Sequence, residues 1–209
     1  MKYKLVIFDF DGTLADSFPL ALSIADQISD KHGIMRIDRS QIQIMRGSTI
    51  KSLLKTFQIP LWKLPWLLND VRHLMSESAG QISLFHGIKQ LLEQLSTQGT
   101  RLALVTSNSF ENTQRVLGKE TAALIDYYEC GVGLFGKRDR FRKILKKSGI
   151  APAETICIGD ETRDIDAARS AGLACGAVTW GYANLDILEA HAPDHVFLSV
   201  EQLAQSLLE

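Results

Sequence analysis

The run Leu5-Val6-Ile7-Phe8-Asp9-Phe10-Asp11-Gly12-Thr13-Leu14-Ala15-Asp16-Ser17 decides how the chain is read. Its first four residues are continuously apolar, the pattern of a strand covered on both faces rather than of one half exposed to water. The apolar run ends at Asp9, so the acid falls at the strand's carboxyl end, where open parallel sheets form their ligand sites. Asp9 and Asp11 stand two residues apart, and both can turn into one pocket once the strand gives way to a loop. Gly12 permits a backbone conformation that other residues resist, and Thr13 adds a hydroxyl. An Asp-Gly turn closing a strand would look the same, so the remainder of the chain has to separate the two readings.

Further apolar runs recur at residues 101–106, 155–158 and 174–178, with weaker strand patterns near Tyr128 to Val132 and His195 to Leu198. Helical stripes lie between them. Ile88, Leu91, Leu92 and Leu95 form one, with Gly99 as its stop; Phe141, Ile144 and Leu145 form another before Gly149. Ala167, Ala168 and Ala171 make a small-residue face before Gly172, and a last helix begins near Val200 with Leu203, Leu207 and Leu208. Strands alternating with helices predict an α/β fold with right-handed crossovers and a mostly parallel sheet. Residues 16–82 break the rhythm, with no strand pattern but with helical spacing at Leu20, Ile24 and Ile28, at Ile50, Leu54 and Phe57, and over Leu61 to Met75. They read as a helical insert, entered through Asp16-Ser17 and left through residues 76–81, small and polar crossings that suit a hinge. Trp62 and Trp66, four apart, are expected to pack inside it.

Three more strand ends carry polar groups. Thr106-Ser107-Asn108 follows the second strong run, Lys137 follows Gly136 after a weak one, and Gly159-Asp160-Glu161-Thr162-Arg163-Asp164 follows the third. Four separate segments would deliver chemistry to one edge of one sheet, which a chance turn does not explain. Thr106, Ser107 and Asn108 are also good helix N-caps, and capping is compatible with anion binding. Lys137 opens the basic run Lys137-Arg138-Asp139-Arg140, which would otherwise read as a solvated face.

Composition bounds the function. With 209 residues and 45% hydrophobic content, the chain can bury a full core. A net charge of -1 and the lack of arginine-aromatic interleaving point away from nucleic-acid and membrane partners. The four apolar residues near the N-terminus read as a strand rather than a leader. The dispersed Cys130, Cys157 and Cys175 read as free thiols in a reducing, cytoplasmic setting. His32, His73, His86, His191 and His195 lack metal-ligand spacing.

The four strand-end motifs resemble those of the haloacid dehalogenase-like hydrolase superfamily, in the branch with a helical cap after the first strand, where phosphoglycolate phosphatases and sugar-phosphate phosphatases and mutases belong. The resemblance spans essentially the whole chain. It implies a Rossmann-like core at residues 1–15 and 83–209, with a cap at 16–82. It implies that Asp9 attacks phosphorus and becomes an aspartyl-phosphate. Asp11 would protonate the leaving oxygen and then activate water. Asp9, Asp160 and the Asp11 carbonyl would hold Mg²⁺, with Asp164 as a further ligand or an orienting group. Thr106 or Ser107, with the amide of Asn108 and the Gly12 loop, would hold phosphate oxygens, and Lys137 would balance charge beside Asp9. Such balance is required, since two like charges about 4 Å apart repel by roughly 4 kcal/mol at an effective dielectric of about 20. Arg138 stands where the family often has proline soon after the lysine, and Glu161 stands where it varies. Arg46 and Ser48, on an inserted turn, are candidates for contacting the substrate.

The implied activity is hydrolysis of a small phosphorylated metabolite, phosphoglycolate or a sugar phosphate, by a monomer or dimer. A sugar phosphomutase on the same scaffold and a non-catalytic phosphate-binding protein are the alternatives. Dehalogenation needs neither an acid at position 11 nor a metal, so Asp11, Asp160 and Asp164 argue against it.

Overall fold

A computed structural model describes residues 2–36, 38, 42, 46, 54–133 and 136–209. The strands are β1 (Leu5–Phe8), β2 (Arg101–Val105), β3 (Tyr127–Glu129), β4 (Thr155–Gly159), β5 (Ala174–Val178) and β6 (His195–Phe197). They form one all-parallel sheet in the order β3-β2-β1-β4-β5-β6. The helices are α1 (Phe18–His32), α2 (Leu64–Ser78), α3 (Ile88–Thr97), α4 (Phe110–Ala122), α5 (Lys137–Ser148), α6 (Thr162–Ala171), α7 (Leu185–Ala190) and α8 (Val200–Leu208). The chain builds outward from β1 to β3, then returns to the other side of β1. The winding therefore reverses between β1 and β4, where open sheets leave a crevice at their carboxyl ends.

The apolar runs become strands because both faces are covered. Val6 and Phe8 point to one side, where they meet Leu102, Leu104, Ile156 and Ile158 beneath α3 and α8. Leu5 and Ile7 point to the other, among Ala103, Val105 and Cys157 beneath Phe141, Ile144, Ile165 and Ala168 of α5 and α6. Full burial of each large side chain stabilises the fold by about 1.5–3 kcal/mol. Gly149 and Gly172 close α5 and α6 in the left-handed conformation, at φ +69° and +75°. α4 and α7 lie where the sequence has no strong helical pattern. Their apolar stripes are thin, but Ser109 and Asn184 cap them by accepting the amides of Asn112 and Ile187. α4 is interrupted at Gly118, whose φ is +70°.

Between β1 and α3, the helices α1 and α2 pack on each other through Ile24, Ile28 and Leu67. His32 and Lys31 of α1 both reach Asp70 of α2, each at 2.8 Å. The two crossings to the rest of the chain lie side by side, with the Asp16 amide donating to Ser83 O and the Phe85 amide to Leu14 O, both at 2.9 Å. Trp62 and Trp66 depart from expectation. They are 65% and 61% exposed and meet each other edge to face, 5.9 Å between centroids. Their four-residue spacing lies on the outer side of this helix pair, away from its buried cluster. Ile50 and Ser48 lie outside the described residues.

Cys157 and Cys175 are buried, Cys130 is half-buried, and all three are free. No helix among the described residues is long and apolar enough to cross a membrane.

Candidate active site

The register fixes the site. Phe8 pairs with Leu104 on one side and Ile158 on the other, so Asp9, Thr106 and Asp160 leave neighbouring strands at nearly one level. The Asp9 amide still donates to Ile158 O at 2.9 Å, which ties its backbone to the sheet while the carboxylate turns into the crevice. Lys137, the first residue of α5, projects in from the opposite element. Its Nζ lies 2.7 Å from Asp9 Oδ2 and also donates to Asp164 Oδ1. Asp9, Lys137, Asp160 and Asp164 are all buried.

Asp160 is held from two sides. Thr13 Oγ1 donates to its Oδ1 at 2.8 Å, and the Tyr182 amide donates to its Oδ2 at 2.7 Å. The backbone closes tightly around it. A Cβ on Gly12, whose φ is +78°, would fall 2.3 Å from Asp160 Oδ2, and one on Gly181 would fall 2.2 Å away. Only glycine fits at either place. Asp164 is fixed by the first turn of α6, where its Oδ2 accepts the Glu161 amide at 3.1 Å.

One carboxylate oxygen from each of Asp9, Asp160 and Asp164 lies within 4.8 Å of the others. This all-oxygen set suits a hard divalent cation such as Mg²⁺. The electrostatics agree. Burial, opposed by Lys137 and reinforced by Asp164, pushes the Asp9 carboxyl up to about 7. Burial, with Asp9 next in effect, raises Asp160 well above the carboxylate range. Burial would lower Lys137, but Asp164 and Asp9 outweigh it and raise the ammonium. The protein has placed more buried negative charge here than Lys137 neutralises, and a dication would relieve that excess.

Asp11 is half-buried, and its carboxyl is raised chiefly by desolvation. Asn108 Nδ2 donates to its Oδ2 at 3.2 Å, whereas its Oδ1 is buried without a hydrogen-bond partner among the described residues. The neighbouring loop differs in detail from expectation. The Asn108 amide donates to Thr106 Oγ1 at 3.0 Å, so in this arrangement that amide is engaged within the loop. The Gly12 amide likewise donates to Ala15 O at 2.9 Å. Ser107 is exposed at the mouth of the crevice. Arg46 lies across the crevice, its Nη2 donating to Trp180 O at 3.1 Å and its guanidinium 5.1 Å from the Phe18 ring centroid.

Trp180, Gly181 and Tyr182 were missed by sequence reasoning, though they follow β5 at the same edge of the sheet. Trp180 Nε1 donates to Thr13 O at 3.1 Å, and Tyr182 OH meets Ser17 Oγ at 3.0 Å. They brace both the nucleophile loop and Asp160. The signal available was their position just after an apolar strand.

Known proteins resemble the chain over nearly its whole length. The chain is 31% identical over 207 residues to a phosphoglycolate phosphatase of Synechococcus elongatus, covering 99% of this chain and 98% of that one. A haloacid dehalogenase-like family hydrolase from Streptococcus pneumoniae superposes with a TM-score of 0.82 at 24% identity, covering 98% and 99% of the two chains. CbbY from Rhodobacter sphaeroides, solved in complex with phosphate, superposes with a TM-score of 0.72 at 21% identity, covering 93% of each. The sequence profile of the haloacid dehalogenase-like hydrolases matches residues 6–178, and the chain belongs to that family.

Proposed function

We propose that this protein is a Mg²⁺-dependent phosphatase of a small phosphate monoester, with Asp9 as its covalent nucleophile. The observation that carries the reading is Asp9 at the end of β1, 2.7 Å from the buried Lys137 and grouped with Asp160 and Asp164. The phosphoglycolate phosphatase relative, matched over nearly its whole length, supports the same substrate class.

Asp9 attacks phosphorus, and the bond from phosphorus to the leaving oxygen breaks. The Asp11 carboxyl, its hold on a proton strengthened by desolvation, gives its proton to that oxygen. The Asp11 carboxylate then takes a proton from the water that attacks the aspartyl-phosphate, and the bond from phosphorus to Asp9 breaks, releasing phosphate. Lys137 holds Asp9 in place and opposes the charge that develops on the phosphoryl oxygens. Asp9, Asp160 and the Asp11 carbonyl would hold Mg²⁺, oriented by Asp164, and the ion would neutralise the carboxylates so that a phosphate dianion can approach. Ser107, exposed at the mouth of the crevice, would receive phosphate oxygens, on a loop held by the buried Thr106. In this reading residues 16–82 form a cap over a core of 1–15 and 83–209, and the cap selects the substrate.

The test is phosphate release from a panel of small phosphomonoesters. Release that stops with a chelator and returns with Mg²⁺ supports the reading. Metal-independent release would remove the role given to Asp160, and an isomerised sugar phosphate without free phosphate would point to a mutase instead. Asp11→Asn separates the acid from the nucleophile. It is expected to slow hydrolysis of an alkyl phosphate by about 10²–10⁴-fold. The loss should be much smaller for an aryl phosphate whose leaving group needs no proton. Equal losses on both substrates would argue against Asp11 as the acid.

A further inference from the structure

Arg163 is the one basic side chain among the described residues lining a cavity of about 480 Å³ that opens beside Asp11. The rest of that wall is mostly apolar, built from α1 and α2 with side chains such as Ile24 and Leu67, and the acids on it are Asp11 and Glu161. Arg163 sits in the first turn of α6 between Asp160 and Asp164, where the mechanism above gives it no task. Glu161 holds one end of the guanidinium, with Arg163 Nη2 2.5 Å from its Oε1. Arg163 Nε is buried and has no acceptor among the described residues. A buried charged donor left unfilled is costly, and each such group in a native protein calls for an explanation, a role in the neighbouring site being one. Lys137 is already committed to Asp9 and Asp164.

We propose that Arg163 is a specificity-determining residue that receives a second anionic group of the substrate, a carboxylate carried by the leaving alcohol. This rests on the phosphatase reading. With the phosphoryl group at Asp9, the leaving oxygen must face Asp11, and whatever that alcohol carries extends into the cavity that Arg163 lines. An anion there needs a cation, because the apolar wall offers no other compensation. A carboxylate matches the parallel donors of a guanidinium. Glu161 orients the guanidinium through Nη2 and leaves its Nη1 edge to the ligand.

Calorimetric titration of the Mg²⁺-loaded full chain tests this without turnover. Phosphonoacetate and ethylphosphonate share a phosphonate, and only the first carries a carboxylate. Wild type should prefer phosphonoacetate, and Arg163→Gln should reduce that preference about 10- to 100-fold. Arg163→Lys, which keeps the charge without the fork, should retain part of it. The proposal is overturned if wild type shows no preference, if the preference survives in Arg163→Gln, or if both ligands weaken equally. The last result would mean that Arg163 touches the phosphoryl group or only props Glu161. Hydrolysis of carboxylated and neutral phosphomonoesters by wild type reports separately on the phosphatase reading. Its failure with the binding preference intact would remove that reading and leave the Arg163 site standing.

Discussion

Asp9→Asn is expected to lower turnover of every phosphomonoester on the order of 10⁴-fold or more while leaving the fold intact. The amide matches the carboxylate in shape, so the hydrophobic faces around Leu5, Val6, Ile7 and Phe8 are undisturbed. It is a poor nucleophile, however, and it cannot form an acyl-phosphate. It also removes one negative charge from a buried group in which Asp9, Asp160 and Asp164 crowd a single lysine. The variant should therefore melt no lower than wild type in the absence of metal, because the repulsion that raises Asp9 and Asp160 is partly relieved. Loss of activity with retained or increased thermal stability separates a missing nucleophile from a damaged fold. Wild-type rates in this variant would remove the nucleophile assignment.

Lys137→Met should fail on both counts. The side chain is 4% exposed and contacts Asp9 and Asp164 together. Methionine fills similar space but strands two buried carboxylates. Breaking a buried pair by removing one partner costs about 3–5 kcal/mol. For a chain of this size that corresponds to a fall in Tm on the order of 10 °C. Activity should fall by about 10²–10³-fold, the usual loss when one preorganised electrostatic group is removed from a reacting centre. The neighbouring Arg138, 51% exposed, is the contrast. Arg138→Ala should stay within about 0.5 kcal/mol of wild type. A Lys137→Met protein with wild-type stability would show that Asp9 and Asp164 do not rely on this ammonium.

Much of this arrangement was legible in the sequence because it rests on local signals. An apolar run that stops at an acid marks Asp9, and the same grammar marks Thr106 and Asp160, so the sheet register brings the three together. Lys137 was harder. Its basic run also reads as a solvated face, and the structure divides that run. Lys137 turns inward, while Arg140, Lys143 and Lys147, at helical spacing, converge on the buried Glu129 at 2.9, 2.8 and 2.9 Å. Burial would raise Glu129, yet those three cations outweigh it and hold the carboxyl at about 2.

Other parts were not legible, for identifiable reasons. The Tyr182 amide on Asp160 is a backbone contact that any residue type can make, so no side-chain motif announces it. Gly181 matters through the absence of a side chain, which only the approach of Asp160 reveals. The two tryptophans misled because four-residue spacing predicts one helix face without saying which face is covered. Arg163 stood in plain sight within a motif, but its orientation depends on Glu161 and on a cavity wall supplied from α1 and α2.

The most direct measurement is mass spectrometry of the protein quenched during turnover of a phosphomonoester with Mg²⁺. A single phosphoryl adduct should map to the peptide containing Asp9, and it should be absent from Asp9→Asn. Steady release of phosphate with no adduct, or an adduct on any other residue, would contradict covalent catalysis by Asp9.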